Sequence, residues 1–142
     1  MFNSRIRLIL MLLVAGYAIP AAASINVFVD EVTSIHDADT FRVNIKGWPE
    51  IVGYRVPVRV KGVDAPELRA RCPGEKRAAR QAKQFTVAKL RAARVIELRE
   101  VERGKYFRLL AEVWIDGENL ADLLISQGLA RPYFGGKREA WC

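Results

Sequence analysis

Apolar residues return at every second position in four short stretches, and this period restricts the fold more than any other feature. Only a strand puts residues i, i+2 and i+4 on one face. Ile25, Val27 and Val29 alternate within Ile25 to Val32, and Phe41, Val43 and Ile45 within Thr40 to Ile45. Val56, Val58 and Val60 form the third stretch, and Ala111, Val113 and Ile115 alternate within Leu109 to Ile115. Val95 to Val101 is a further strand by composition. Pro57 has no N–H to donate, so an edge or a bulge is expected there. Gly47-Trp48-Pro49-Glu50 and Asp116-Gly117 have the residues of turns.

Two stretches depart from period two. From Gly74-Glu75 to about Ala93 the chain is rich in Ala, Lys, Arg and Gln, which predicts a helix. Ala78, Ala82, Phe85 and Lys89 fall on one side of it, with Ala79, Thr86 and Leu90 adjoining. Lys76, Arg77, Arg80 and Lys83 make a basic side, read as a solvated face. Near the end, Asn119 is placed to cap a second helix, with Asp122 in its first turn. Leu120, Leu123, Leu124 and Gln127 are expected to face inward, and Gly128 to stop the helix. The tail from Arg131 to Cys142 reads as an ordered loop or arm. Mainly β with α, five strands with a long helix between the third and fourth and a C-terminal helix suit a Greek-key barrel of OB-fold type. The strand pattern alone does not fix that topology.

The N-terminus is of another kind. Arg5 and Arg7 precede an apolar run from Leu8 to Ile19, then Pro20 and Ala21-Ala22-Ala23-Ser24. This is the layout of a secretory signal peptide over residues 1–23, cut after Ala23, leaving one domain from 24 to 142. An uncleaved anchor and a buried helix are the competing readings, though the run is short for a span of about 20 residues. Export, to a periplasm or the medium, bears on Cys72 and Cys142, which form no C-x-x-C motif. In an oxidising compartment they are expected to pair; in a cytosol they would be two free thiols. A net charge of +7 points weakly to a polyanionic partner.

Three clusters carry candidate chemistry: Asp37-Ala38-Asp39-Thr40, then Arg59-Val-Lys-Gly-Val-Asp64-Ala65-Pro-Glu67, then Lys105-Tyr106-Phe107-Arg108-Leu-Leu-Ala111. Asp39 and Asp64 are the oxygen donors that a hard divalent cation takes. Glu67 lies three residues past Asp64, across Pro66, and can face the same pocket. Arg59 and Arg108 have planar forks that match two phosphate oxygens. The single histidine, His36, leaves no room for a multi-histidine zinc site. Taken singly, each cluster has a plainer reading, as a turn, a helix start or a solvated charge.

Taken together and in this order, the clusters resemble the staphylococcal nuclease, or thermonuclease, family, whose motifs read Asp-Gly-Asp-Thr, Arg-Leu-x-Gly-Ile-Asp-Thr-Pro-Glu and Lys-Tyr-Gly-Arg-x-Leu-Ala. The likeness continues to Gln127-Gly128-Leu129-Ala130. It implies an OB-fold nuclease that cuts DNA and RNA with little preference and leaves a 3′-phosphate. It further implies Ca²⁺ bound by Asp39, Asp64 and the backbone carbonyl of Ala65. By the same resemblance Glu67 is the general base, and Arg59 and Arg108 hold the phosphate. A noncatalytic nucleic-acid-binding barrel is the alternative. A monomer without stable membrane association after leader cleavage is expected. Three positions depart from the family: Ala38 for Gly, Ala65 for Thr and Phe107 for Gly. Ala38 must then avoid a positive φ or carry strain, and Phe107 could alter the aim of Arg108. Tyr106 matches a family tyrosine near the substrate, or is a barrel residue. Tyr133, Lys137 and Trp141 are of the types that stack on or steer nucleic acid, with no motif behind them.

Overall fold

The alternating stretches close on one another. The computed structural model describes residues 25–142, so the expected leader lies outside the described residues. Five strands form the barrel: β1 (Val27–Asp37), β2 (Thr40–Ile45), β3 (Val56–Val60), β5 (Ile96–Arg103) and β6 (Leu109–Ile115). β1 pairs antiparallel with β2 and β5, β2 with β3, and β5 with β6; a parallel β3–β6 pairing completes the ring. Short strands β4 (Val63–Asp64), β7 (Glu118–Asn119) and β8 (Arg131–Pro132) lie outside it. The helices are α1 (Glu50–Gly53), α2 (Pro73–Ala92) and α3 (Leu120–Ser126). This is the expected OB-type barrel, with the long helix between its third and fourth strands. Among the described residues no helix is long and apolar enough to cross a membrane.

Period two fills the interior. Phe41, Val43, Val58, Val60, Leu98, Ala111 and Val113 are essentially inaccessible to solvent. At about 25 cal/mol per Å² of apolar surface, their burial is the main force closing the ring. Pro57 sits opposite Arg42 of β2, and the ladder to β6 starts one residue later, at Val58. Its missing donor therefore falls at the end of that ladder.

Several expectations are corrected. Ile25 precedes β1 and is exposed. β1 runs five residues past Val32, because register shifts along its pairing with β2 break the alternation that marks a strand. The turn around Trp48 continues into α1. α2 starts at Pro73, a residue suited to the first helical position, with Cys72 as its cap. Its buried row is Ala79, Ala82, Thr86 and Leu90; Ala78, Phe85 and Lys89 lie on the half-covered flank. In α3, Asn119 Oδ1 accepts from the N–H groups of Ala121 and Asp122, as its type predicts. Gly128, at φ +68°, ends the helix, with the Gly128 and Leu129 N–H groups donating to the carbonyls of Ile125 and Leu124. Gln127 is exposed, since this reversal turns it from the core.

Candidate active site

The hairpin joining β1 to β2 has Asp37 paired with Thr40 and only Ala38 and Asp39 between them. Ala38 is fully buried and is not among the residues of positive φ, so the turn needs no glycine. Its carbonyl accepts a hydrogen bond from Thr86 Oγ1 of α2 at 2.9 Å, which ties the turn to the helix. Both aspartates reach forward to the segment after β4. Asp39 Oδ2 accepts from the Ala65 N–H at 2.7 Å, and Asp37 Oδ1 from the Leu68 N–H at 3.1 Å. Thr40 Oγ1 donates to Asp39 Oδ1 at 3.0 Å.

Arg59 stands opposite Thr40 on β3, between the inward-facing Val58 and Val60, and so points outward. Its guanidinium is mostly buried between two aspartates: it pairs with Asp39 Oδ2 and lies 3.6 Å from Asp64 Oδ1. It also donates to the Val63 carbonyl at 3.1 Å. Asp39, Arg59, Asp64 and Ala65 thus converge. The donors around this point are carboxylates and backbone carbonyls, a set suited to a hard cation. Asp64 Oδ1 is buried and, among the described residues, meets the guanidiniums of Arg59 and Arg138 as ion pairs without a well-formed hydrogen bond.

Glu67 is half-exposed, and its backbone N–H donates to Glu75 Oε1 at 3.0 Å. It joins the cluster through a residue the sequence does not single out. Arg138 donates to Glu67 Oε1 at 2.6 Å and pairs with Asp64 Oδ1. Partial burial lowers the pKa of Arg138, but contacts with Glu67 and Asp64 outweigh that and raise it above the ordinary arginine value. Trp141 Nε1 donates to Asp64 Oδ2 at 3.1 Å.

Arg108 is set apart from the carboxylates. It precedes β6, level with Pro57, while Arg59 is level with Leu110. The two arginines share the outer face two residues apart in register, roughly 7 Å along the strands. Arg108 lines a cleft of about 440 Å³ with His36, Thr40, Arg42, Lys105 and Tyr106. None of the ion pairs among the described residues uses it. Tyr106 and Phe107 take φ of +57° and +59° and are highly exposed, so Tyr106 is no interior barrel residue. Phe107 thus adopts the left-handed conformation that a glycine takes freely, at a cost of roughly 1–2 kcal/mol.

Cys72 and Cys142 form a disulfide. It binds the last residue of the tail to the cap of α2, beside Glu75. The cysteines lie together with Glu75, but bonded sulfurs offer no thiolate to a metal.

The family model described as staphylococcal nuclease homologue matches residues 57–140, more than half of the chain. The chain belongs to this family. The match takes in Arg59, Asp64, Ala65, Glu67, Arg108 and Arg138, while Asp39 lies ahead of it. No curated protein matches the chain.

Of the candidate residues, then, four meet directly, Glu67 is joined through Arg138, and Arg108 looks onto the adjoining cleft. Sequence reasoning missed Arg138, Thr86, Asp37 and Glu75 as positioning groups. Asp37 opens the Asp37-Ala38-Asp39-Thr40 motif, which is a signal for it; Arg138, in an aperiodic tail, carries no local signal.

Proposed function

We propose that the protein is an exported, calcium-dependent nuclease that hydrolyses phosphodiester bonds in DNA, RNA or both. The observation that carries this reading is one buried guanidinium, Arg59, set between two buried aspartates, with Glu67 joined to Asp64 through Arg138. The domain spans residues 24–142 and acts as a monomer, after removal of a leader over 1–23. The disulfide and the signal-like N-terminus support export.

In this reading Asp39, Asp64 and the Ala65 carbonyl hold Ca²⁺, which supplies Lewis-acid stabilisation of phosphoryl charge. Arg59, steadied by the Val63 carbonyl, grips phosphate oxygens from the carboxylate side. Arg108, unpaired with any acid among the described residues, offers its fork from the cleft side. The scissile phosphate bridges the two, and both guanidiniums meet the charge that grows on its oxygens. Glu67 orients a water and takes its proton as the water oxygen bonds to phosphorus. The bond from phosphorus to the 5′ oxygen breaks, that oxygen takes a proton from solvent, Glu67 later returns its proton to solvent, and the 3′-phosphate is released. Half-exposure leaves Glu67 open to water, provided Arg138 yields its place.

The test is cleavage of DNA and RNA by the mature protein, with calcium and with a chelator, alongside Glu67→Gln. Metal-dependent cutting and a loss of about 10²–10⁴-fold in the variant are expected. The grip of Arg138 on Glu67 favours a second reading, a nucleic-acid-binding barrel without catalysis. Binding without cleavage by wild type decides for that one. N-terminal sequencing of the exported protein should begin at Ser24.

A further inference from the structure

The tail is fastened across the site at both ends. β8 pairs with β4, so that Arg131 lies opposite Asp64, and Cys142 is bonded to Cys72. Between these anchors the Arg131 guanidinium stacks 3.8 Å from the Trp141 ring and donates to the Ala140 carbonyl at 3.1 Å. Residues 131–142 thus form a strap whose two site-facing groups, Arg138 and Trp141, engage both oxygens of Asp64 and one of Glu67.

We propose that this strap is a resident competitor for the divalent-cation site, and that Arg138 is the group a cation must displace. The inference rests on the calcium reading of Asp39 and Asp64 given above. A cation bonded to Asp64 sits about 2.3–2.6 Å from the oxygen. That leaves it a few ångströms from a guanidinium on the same carboxylate, where like charges repel strongly at partial burial. Arg59 faces the same point, but it is only 14% exposed and is held by the main-chain carbonyl of Val63, so it is a fixed part of the wall. Arg138 is 42% exposed, on a segment whose end is held by the disulfide. Its place on the carboxylates depends on that tether, which keeps its effective concentration there high. Breaking the disulfide lets the strap leave, opening Asp64 to a cation and freeing Glu67 together.

Calcium titration by calorimetry on the mature protein tests this without any nuclease assay. Four proteins are compared, oxidised and reduced: wild type, Arg138→Gln, Arg138→Lys and Lys137→Gln. Oxidised Arg138→Gln should bind calcium about three- to tenfold more tightly than oxidised wild type. Arg138→Lys, a point charge that cannot span two carboxylates as a fork does, should fall between. Lys137→Gln makes the same charge change one residue away and should stay near wild type. Reduction changes no charge on the site, yet it should tighten binding by wild type and add little to Arg138→Gln. That non-additivity is the mark of one shared mechanism. Equal affinities for oxidised wild type and Arg138→Gln overturn the proposal, as does an equal gain in Lys137→Gln. Should circular dichroism show that reduction unfolds the protein, the oxidised variants alone decide. No calcium binding by any form removes the metal reading itself and the competition with it.

Discussion

Thr86→Val removes one hydroxyl from the interior while leaving the side-chain shape unchanged, and its consequence can be worked from the geometry. Thr86 is fully buried in α2, and its Oγ1 donates at 2.9 Å to the carbonyl of Ala38, itself fully buried. Valine fills the same space, so no cavity opens, but the carbonyl is left without the partner the structure provides. An unpaired buried acceptor costs about 1–3 kcal/mol. For a folded part of about 120 residues, 1 kcal/mol corresponds to roughly 4 °C in Tm, so a fall of about 4–12 °C is expected. Thr86→Ser keeps the donor and loses one methyl group, at about 1 kcal/mol. Urea and thermal unfolding of the three proteins check the ordering wild type, Ser, Val. On the calcium reading proposed above, Thr86→Val should also weaken calcium binding more than Thr86→Ser does, because Ala38 adjoins Asp39. A valine variant as stable as wild type, or a serine variant as damaged as the valine one, refutes the claim that this hydrogen bond anchors the turn.

Two further predictions concern stability away from the carboxylates of the candidate site. Phe107→Gly relieves an exposed residue held at positive φ and should stabilise the fold by roughly 0.5–1 kcal/mol in urea unfolding; a loss would mean that the Phe107 ring contributes more than its backbone costs. Asp116 accepts from the N–H groups of Val95 and Arg94, which hold its carboxyl below the usual aspartate range. A depressed folded pKa gives stability that is present above the unfolded value near 4 and lost as pH falls through the lower folded value. Asp116→Asn should therefore destabilise at pH 7, with the difference from wild type shrinking below about pH 4; a pH-independent difference would point to shape rather than charge.

The barrel was largely legible because its core depends on side-chain period. Phe41, Val43, Val58, Val60 and Val113 lie inside for the reason their spacing suggests: alternate residues of a strand share a face. Legibility failed where that rule is interrupted. Register shifts along β1 hide its second half, and a one-residue error in helical phase put Ala78 and Phe85 where Ala79 and Thr86 lie. In the site, Asp39, Arg59 and Asp64 could be picked out because each sits in a short motif of a recognisable family. Arg138 could not, since it lies 71 residues from Glu67 in a tail with neither period nor motif.

By itself the sequence determined the local choices: which segments alternate, where Asn119 caps and Gly128 ends a helix, and which residue types can bind phosphate or a cation. These follow from dihedral preference, period and functional-group chemistry, which act over a few residues. The tertiary structure alone decided that β3 closes against β6, that one guanidinium lies between Asp39 and Asp64, that Cys72 meets Cys142, and that Arg138 lies over Asp64 and Glu67. Those are contacts between distant segments. Their energy comes from the burial and pairing that the whole folded chain provides, and, Arg59 with Asp64 apart, no short stretch of sequence contains both partners.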